Sequence, residues 1–192
     1  MPRKAAIHGY RISTWVRTAE MTCIEKRVDY ELIPLAYGSP EHAAMHPFMR
    51  MPIVEVDGLT LFESLAITGY LDETGDDPSL QPDSFPERLL MRTWMSICAD
   101  YLYRQVVLTV PRGRPATDEE RETALTALQR AEGMMPDTRF LAGGSLTLAD
   151  LYLAPQIANC REKAPELLDG LARIDAWARR MGERDSFRLT AS

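Results

Sequence analysis

The chain has 192 residues, 45% hydrophobic and 26% charged, with a formal net charge of −6. That length supports one large domain or two small ones around a buried core. No apolar stretch approaches the ~20 residues of a membrane span, and the acidic balance disfavours nucleic-acid backbones and anionic membranes. The opening residues, Met1 to His8, lack the apolar centre of a signal peptide, which predicts a cytoplasmic protein. Cys23, Cys98 and Cys160 are far apart and odd in number, so neither disulfides nor structural zinc is expected. His42 and His46 have the spacing of a helical metal pair, but they lack the accompanying Glu of such a motif and Pro47 ends any helix there. No metal site is expected. Arg112 with Arg114, and Arg179 with Arg180, read as solvated surface.

In chain order, residues 4–8 read as a strand and 13–27 as a helix with Val16, Ala19, Cys23 and Ile24 on one face. Residues 29–35 read as a second strand. Residues 53–56 and 59–62 flank Asp57-Gly58, a two-residue turn that closes a β-hairpin. A helix with Ile67, Tyr70 and Leu71 on its buried stripe follows Glu63. From 75 to 86 three prolines and several turn residues mark a linker. Beyond it the periodicity is almost wholly helical, over 87–107, 118–133, 148–159 and 171–181. Thr147 reads as an N-cap with Asp150 reaching back to it, and Leu146 and Leu151 as a hydrophobic staple. The layout is α/β followed by all-α: a first domain over 1–75, a linker over 76–86 and a helical domain over 87–192.

Three features of the first half carry chemistry. Met51-Pro52 enters a strand directly. Proline here is either an ordinary trans residue starting the strand or a cis one, in which case Met51 offers its backbone to a peptide-like ligand as an added strand. Glu63-Ser64 stands at a strand-to-helix junction. A helix N-terminus favours a carboxylate, and Glu63 can receive an ammonium, so the pair suits an amino-acid head group; the plain alternative is a Ser cap. Ser13 precedes the first helix. Its hydroxyl either caps that helix or donates to a thiolate, and such a site lowers a thiol pKa from its usual ~8.5.

The order and context of these features resemble glutathione transferases with a serine at the active site. The resemblance runs through Ser13-Thr14 with Arg17, Ile24-Glu25-Lys26 and Tyr30-Glu31, then Ser39-Pro40-Glu41, His46-Pro47-Phe48 and Met51-Pro52, into the segment from Asp57 to Ile67. Phe140 to Gly143 and Leu146 to Asp150 resemble the helix-capping segment of the same superfamily, and the likeness is to the phi class and its bacterial relatives. It implies a thioredoxin-like domain followed by a helical bundle, a homodimer, a role in detoxification, and glutathione as co-substrate with no metal. It implies that Ser13 holds the thiolate, that Pro52 is cis, that Met51 pairs with the cysteinyl unit, and that Glu63 and Ser64 hold the γ-glutamyl end. Trp15, Tyr101 and Arg104 are expected as walls of a pocket for a small electrophilic or hydrophobic substrate.

The pattern departs from the family where Met49-Arg50 replaces a Gly-Gln pair, and where the segment before Ser39 is short. Arg50 or His42 is the nearest substitute for the missing contacts, Arg50 through a charge-assisted bond to a carboxylate. These departures keep a non-catalytic ligand-binding or scaffold protein open as an alternative. Glutathione-dependent isomerisation or dehalogenation on the same fold is another. A disulfide reductase needs a cysteine near position 13, and there is none.

Overall fold

The computed structural model describes residues 4–76, 78–109 and 115–191; Arg112 and Arg114 lie outside them. The first elements are β1 (Lys4–His8), α1 (Thr14–Glu25), β2 (Asp29–Ile33), α2 (Pro40–Met45), β3 (Ile53–Val56), β4 (Leu59–Phe62) and α3 (Ser64–Thr74). The strands form one sheet in the order β2-β1-β3-β4. β1 and β2 are parallel, joined through α1 by the crossover that a parallel pair needs, while β3 runs antiparallel to both β1 and β4. Asp57 and Gly58, with φ of 51° and 78°, supply the left-handed pair that closes the β3–β4 hairpin. Ala5, Ile7, Val54 and Val56 of the sheet pack with Val16, Ala19 and Cys23 of α1 and with Ile67 and Leu71 of α3. This is the expected thioredoxin-like arrangement.

α1 ends two residues before the expected limit, and its cap gives the reason. Arg27 adopts a φ of 53°, its N–H donates to the Ile24 carbonyl at 3.2 Å, and the Val28 N–H donates to the Cys23 carbonyl at 2.9 Å. These paired bonds are a Schellman cap, formed here around an arginine rather than a glycine. Just before it, Lys26 turns inward: its Nζ lies 3.1 Å from Asp72 Oδ1, both side chains 1% exposed, and also donates to the Pro78 carbonyl at 2.8 Å. The C-terminal ends of α1 and α3 are thereby tied together.

The chain divides into two compact units, Met1–Ser79 with Asp185–Ser192, and Leu80–Arg184. The second holds α4 (Phe85–Ile97), a π-helical continuation (Cys98–Val107), α5 (Asp118–Met134), α6 (Leu148–Lys163), a 3-10 turn (Pro165–Leu168) and α7 (Ala172–Gly182). The single helix expected over 87–107 thus changes its winding at Cys98. The Leu108 N–H accordingly reaches back five residues to the Tyr103 carbonyl at 3.0 Å. Asp150 at the start of α6 is fully buried and receives four hydrogen bonds, from the N–H and hydroxyl of Thr147, the N–H of Leu141 and Nε1 of Trp177. Burial pushes its carboxyl pKa up and the four donors pull it back.

One short helix, α8 (Asp185–Leu189), clusters with the first unit. The buried Arg17 of α1 holds it: Nη2 donates to the Phe187 carbonyl at 2.9 Å, Nε to Thr190 Oγ1 at 3.2 Å, and the guanidinium lies 4.4 Å from the centre of the Phe187 ring.

Candidate functional site

The register of the sheet brings the three chemical features to one end. His8, the last residue of β1, pairs with Ile53, the first of β3, and Ile53 pairs with Phe62, the last of β4. The loop bearing Ser13 leaves β1 there, Met51-Pro52 arrives there, and Glu63-Ser64 departs there. Gly9 packs the first two junctions together. A Cβ at Gly9 would lie 2.5 Å from Val16 Cγ2 and 3.6 Å from both Cβ and Sδ of Met51, and Gly9 has a φ of +152°. Only glycine suits so close an approach at that φ.

Ser13 is the N-cap of α1, with extended backbone angles. Its Oγ accepts from the Val16 N–H at a long 3.5 Å, and its own O–H proton has no acceptor among the described residues. Such a hydroxyl remains able to donate to an anion at the helix end. The Met51–Pro52 bond is cis. Met51 precedes the ladder, which begins at Ile53, and among the described residues its N–H and C=O enter no backbone hydrogen bond. They have the free donor and acceptor that an added peptide strand uses.

Glu63 caps α3 with a φ of 68°, a left-handed conformation that costs a non-glycine residue of order 1–3 kcal/mol. No side chain caps the helix, so its first-turn amides keep their donors, and the Ser64 hydroxyl has no hydrogen-bond partner among the described residues. Uncapped amides at the start of an eleven-residue helix, with a carboxylate beside them, fit the two charges of an amino-acid head group.

The loop before Pro52 is built on the two histidines. His42 is fully buried; its Nδ1 accepts from the Gly38 N–H at 3.2 Å, so its Nε2–H donates to the Arg50 carbonyl at 3.1 Å. With both nitrogens committed to backbone, His42 does not substitute for the missing family contacts. Arg50 is exposed, and its guanidinium forms no ion pair among the described residues. His46 is also buried: Nδ1 accepts from the Phe48 N–H at 3.1 Å, and Nε2 lies 3.9 Å from Glu63 Oε1. The His42/His46 spacing therefore serves loop architecture, and among the described residues no group of three metal-ligating side chains occurs.

The remaining expected residues fall in different units. Trp15 is half-buried on α1, whereas Tyr101 and Arg104 are exposed on the π-helical segment. A groove of about 430 Å³ in the second unit, lined by Arg139, Arg173, Trp177 and Arg180 among others, includes none of the expected site residues.

A thioredoxin-like sheet that directs these three junctions to one end, followed by a helical unit, defines the two-part fold of glutathione-handling transferases. Residues 6–73 match the family model for the glutathione S-transferase N-terminal domain, and residues 89–185 match that for its C-terminal domain. The chain is 30% identical over 190 residues to a glutathione S-transferase of Hyoscyamus muticus, covering 89% of this chain and 90% of the relative. It is 27% identical over 168 residues to a maleylacetoacetate isomerase of Rattus norvegicus, covering 81% and 78%. Its fold matches the crystal structure of poplar glutathione transferase F1 with a TM-score of 0.85, at 23% identity over 97% of this chain and 96% of that one. The chain belongs to the glutathione S-transferase family.

Proposed function

We propose that this glutathione transferase binds glutathione along residues 1–75 and holds its sulfur as a thiolate against the Ser13 hydroxyl, for attack on a small electrophilic substrate. The observation that carries this reading is the convergence of three junctions at one end of the sheet, set by the pairing of His8, Ile53 and Phe62. Met51 pairs its backbone with the cysteinyl unit beside Pro52. Glu63 takes the ammonium and Ser64, with the α3 amides, the carboxylate of the γ-glutamyl end. Arg50 then faces the remaining carboxylate.

Ser13 acts by donating a hydrogen bond that favours the charged sulfur, and the N-terminal field of α1 adds to it. The thiolate attacks the electrophilic atom and expels the leaving group, or adds across an activated double bond. Trp15, two residues after Ser13 on α1, contributes to the second substrate's pocket. Exposed Tyr37, Phe48 and Leu65, each more than two-thirds accessible in the first unit, support a homodimer. Three buried cysteines far apart in the chain suit the reducing cytoplasm, and detoxification of electrophiles is the corresponding role.

Isomerisation is the second reading, supported by the similarity to the rat isomerase; it uses the same thiolate and returns glutathione unchanged. Calorimetric titration with glutathione, repeated on Ser64→Ala, tests the site. Saturable binding that weakens in the variant is expected. No binding up to millimolar glutathione would shift the reading to glutathione conjugates or to a non-catalytic role.

A further inference from the structure

Between β1 and Ser13 the chain makes a tight turn whose attachment the thiolate chemistry leaves unexplained. The Ser13 N–H donates to the Tyr10 carbonyl at 2.9 Å, so Arg11 and Ile12 occupy the turn's central positions. Ile12 is 69% exposed and Tyr10 42% exposed. Among the described residues Arg11 alone of these three has a side-chain hydrogen bond, and it is a forked one. Its Nε lies 3.0 and 3.2 Å from the two Glu20 oxygens, and Nη2 lies 3.0 Å from Oε1.

Glu20 is fully buried on α1, seven residues after Ser13 and so two turns along the same face. A carboxylate there needs a partner, because burial pushes its pKa up while Arg11, Tyr30 and Arg17 draw it down. The same burial, with the neighbouring Glu20 charge, pushes the Tyr30 hydroxyl up to about 12, so Tyr30 stays neutral and Arg11 supplies the forked ion pair. The guanidinium of Arg17 is drawn to the Phe187 carbonyl and Thr190.

We propose that Arg11 is a positioning residue for Ser13: clamped on Glu20, it braces the turn that precedes Ser13 against the helix that Ser13 caps. The inference rests on the reading of Ser13 as the thiolate donor. Ser13 stands where turn and helix meet, so its hydroxyl direction follows the angle between them. The Arg11–Glu20 fork crosses that angle, and a planar guanidinium on a carboxylate fixes direction as well as distance. The Ser13–Tyr10 backbone bond closes the turn, and Tyr10 and Ile12 have exposed side chains, so the fork is the ion pair that ties the turn to α1. A donor that is loose by about an ångström loses about 10²-fold in rate.

The competing explanation is that Arg11 merely neutralises a buried charge. The double variant Arg11→Met/Glu20→Met separates the two, since replacing both ions by apolar groups removes the need for neutralisation and is often neutral for stability. The measurement is the pKa of the glutathione thiol bound to each protein, followed by the ultraviolet absorbance of the thiolate, alongside kcat, KM and Tm. Bracing predicts a double variant with near wild-type Tm and glutathione KM. Its bound thiol pKa is raised toward the free value of ~8.5, and its kcat is lowered 10- to 100-fold. A double variant with the wild-type thiol pKa and kcat overturns the proposal.

Ser13→Ala in the same assay tests the underlying reading separately. If it leaves the bound thiol pKa unchanged, the Ser13 assignment fails; if it raises the pKa while the double variant does not, only the role of Arg11 fails. Should the double variant not fold, Arg11→Lys replaces it, because a point charge keeps neutralisation but loses the fork. A raised bound thiol pKa with retained Tm then supports bracing, and an unchanged one overturns it.

Discussion

His46 Nε2 lies 3.9 Å from the Glu63 carboxylate, so the loop that leads to Met51 leans on the residue that caps α3. The ring is buried, its Nδ1 accepts from the Phe48 N–H, and its centre is 4.7 Å from that of Phe62. Burial lowers its pKa below the ordinary histidine value, and the opposing pull of Glu63 does not cancel the shift. The unfolded chain therefore holds this proton more tightly than the folded one. The contribution of a neutral His46 is complete above pH ~6.5 and is lost as pH falls from there through its lower folded pKa. Urea midpoints measured from pH 7.5 to 5 should fall, and fall less steeply in His46→Asn. Equal slopes in the two proteins would assign the acid sensitivity to another group.

Gly9 is the tightest point between α1 and the Met51 strand entry. An alanine there meets Val16 Cγ2 at 2.5 Å and carries an unfavourable φ of +152°. Gly9→Ala is expected to cost about 2–6 kcal/mol, the sum of overpacking and backbone strain. Val16 or Met51 has to yield, so glutathione affinity should fall with stability. Thermal melting and glutathione titration on the same variant check this. A lowered Tm with unchanged affinity would mean that Val16 alone moves and that Met51 keeps its place.

Legibility in the sequence followed the range of each interaction. Thr147 and Asp150 read as a cap because both partners lie within three residues, whereas the donors Leu141 and Trp177 come from nine and 27 residues away. In the same way Ser13, Met51-Pro52 and Glu63-Ser64 are local signals at element ends. Their arrival at one end of the sheet depends on long-range register, which periodicity does not encode and which the family resemblance supplied. α2 and α8, of six and five residues, are too short to show a helical period. The change to π winding at Cys98 keeps apolar residues four apart and leaves no mark in the pattern. The His42/His46 spacing is the same for a metal pair as for two backbone clamps; only the surrounding carbonyl and N–H groups separate them.

Lys26 and Asp72 form an ion pair with both side chains 1% exposed. Removing either partner leaves the other charge buried without its counter-ion, so Lys26→Met and Asp72→Leu should each cost about 3–5 kcal/mol. The double variant should recover most of that loss, because well-packed apolar side chains replace buried ions at little cost. Urea denaturation of the four proteins in a double-mutant cycle measures the coupling. Additive losses in the double variant would show that Lys26 acts chiefly through its bond to the Pro78 carbonyl, and not through Asp72.

Ser13 should separate stability from turnover. Its bond to the Val16 N–H is long, at 3.5 Å, so the cap it provides is weak and Ser13→Ala should cost no more than about 1 kcal/mol. On the proposed reading the bound thiolate, by contrast, loses a hydrogen-bond donor where charge resides during attack. If that donor acts as an oxyanion-hole group does, kcat falls about 10- to 1000-fold. Glutathione binding through Met51, Glu63 and Ser64 should persist, and the kcat–pH profile should move to higher pH because the thiol ionises less readily. Turnover with an activated aryl halide, read beside Tm, checks both halves. Full turnover in a folded Ser13→Ala protein would remove Ser13 from the mechanism and leave the α1 terminus and its amides as the thiolate's stabilisers.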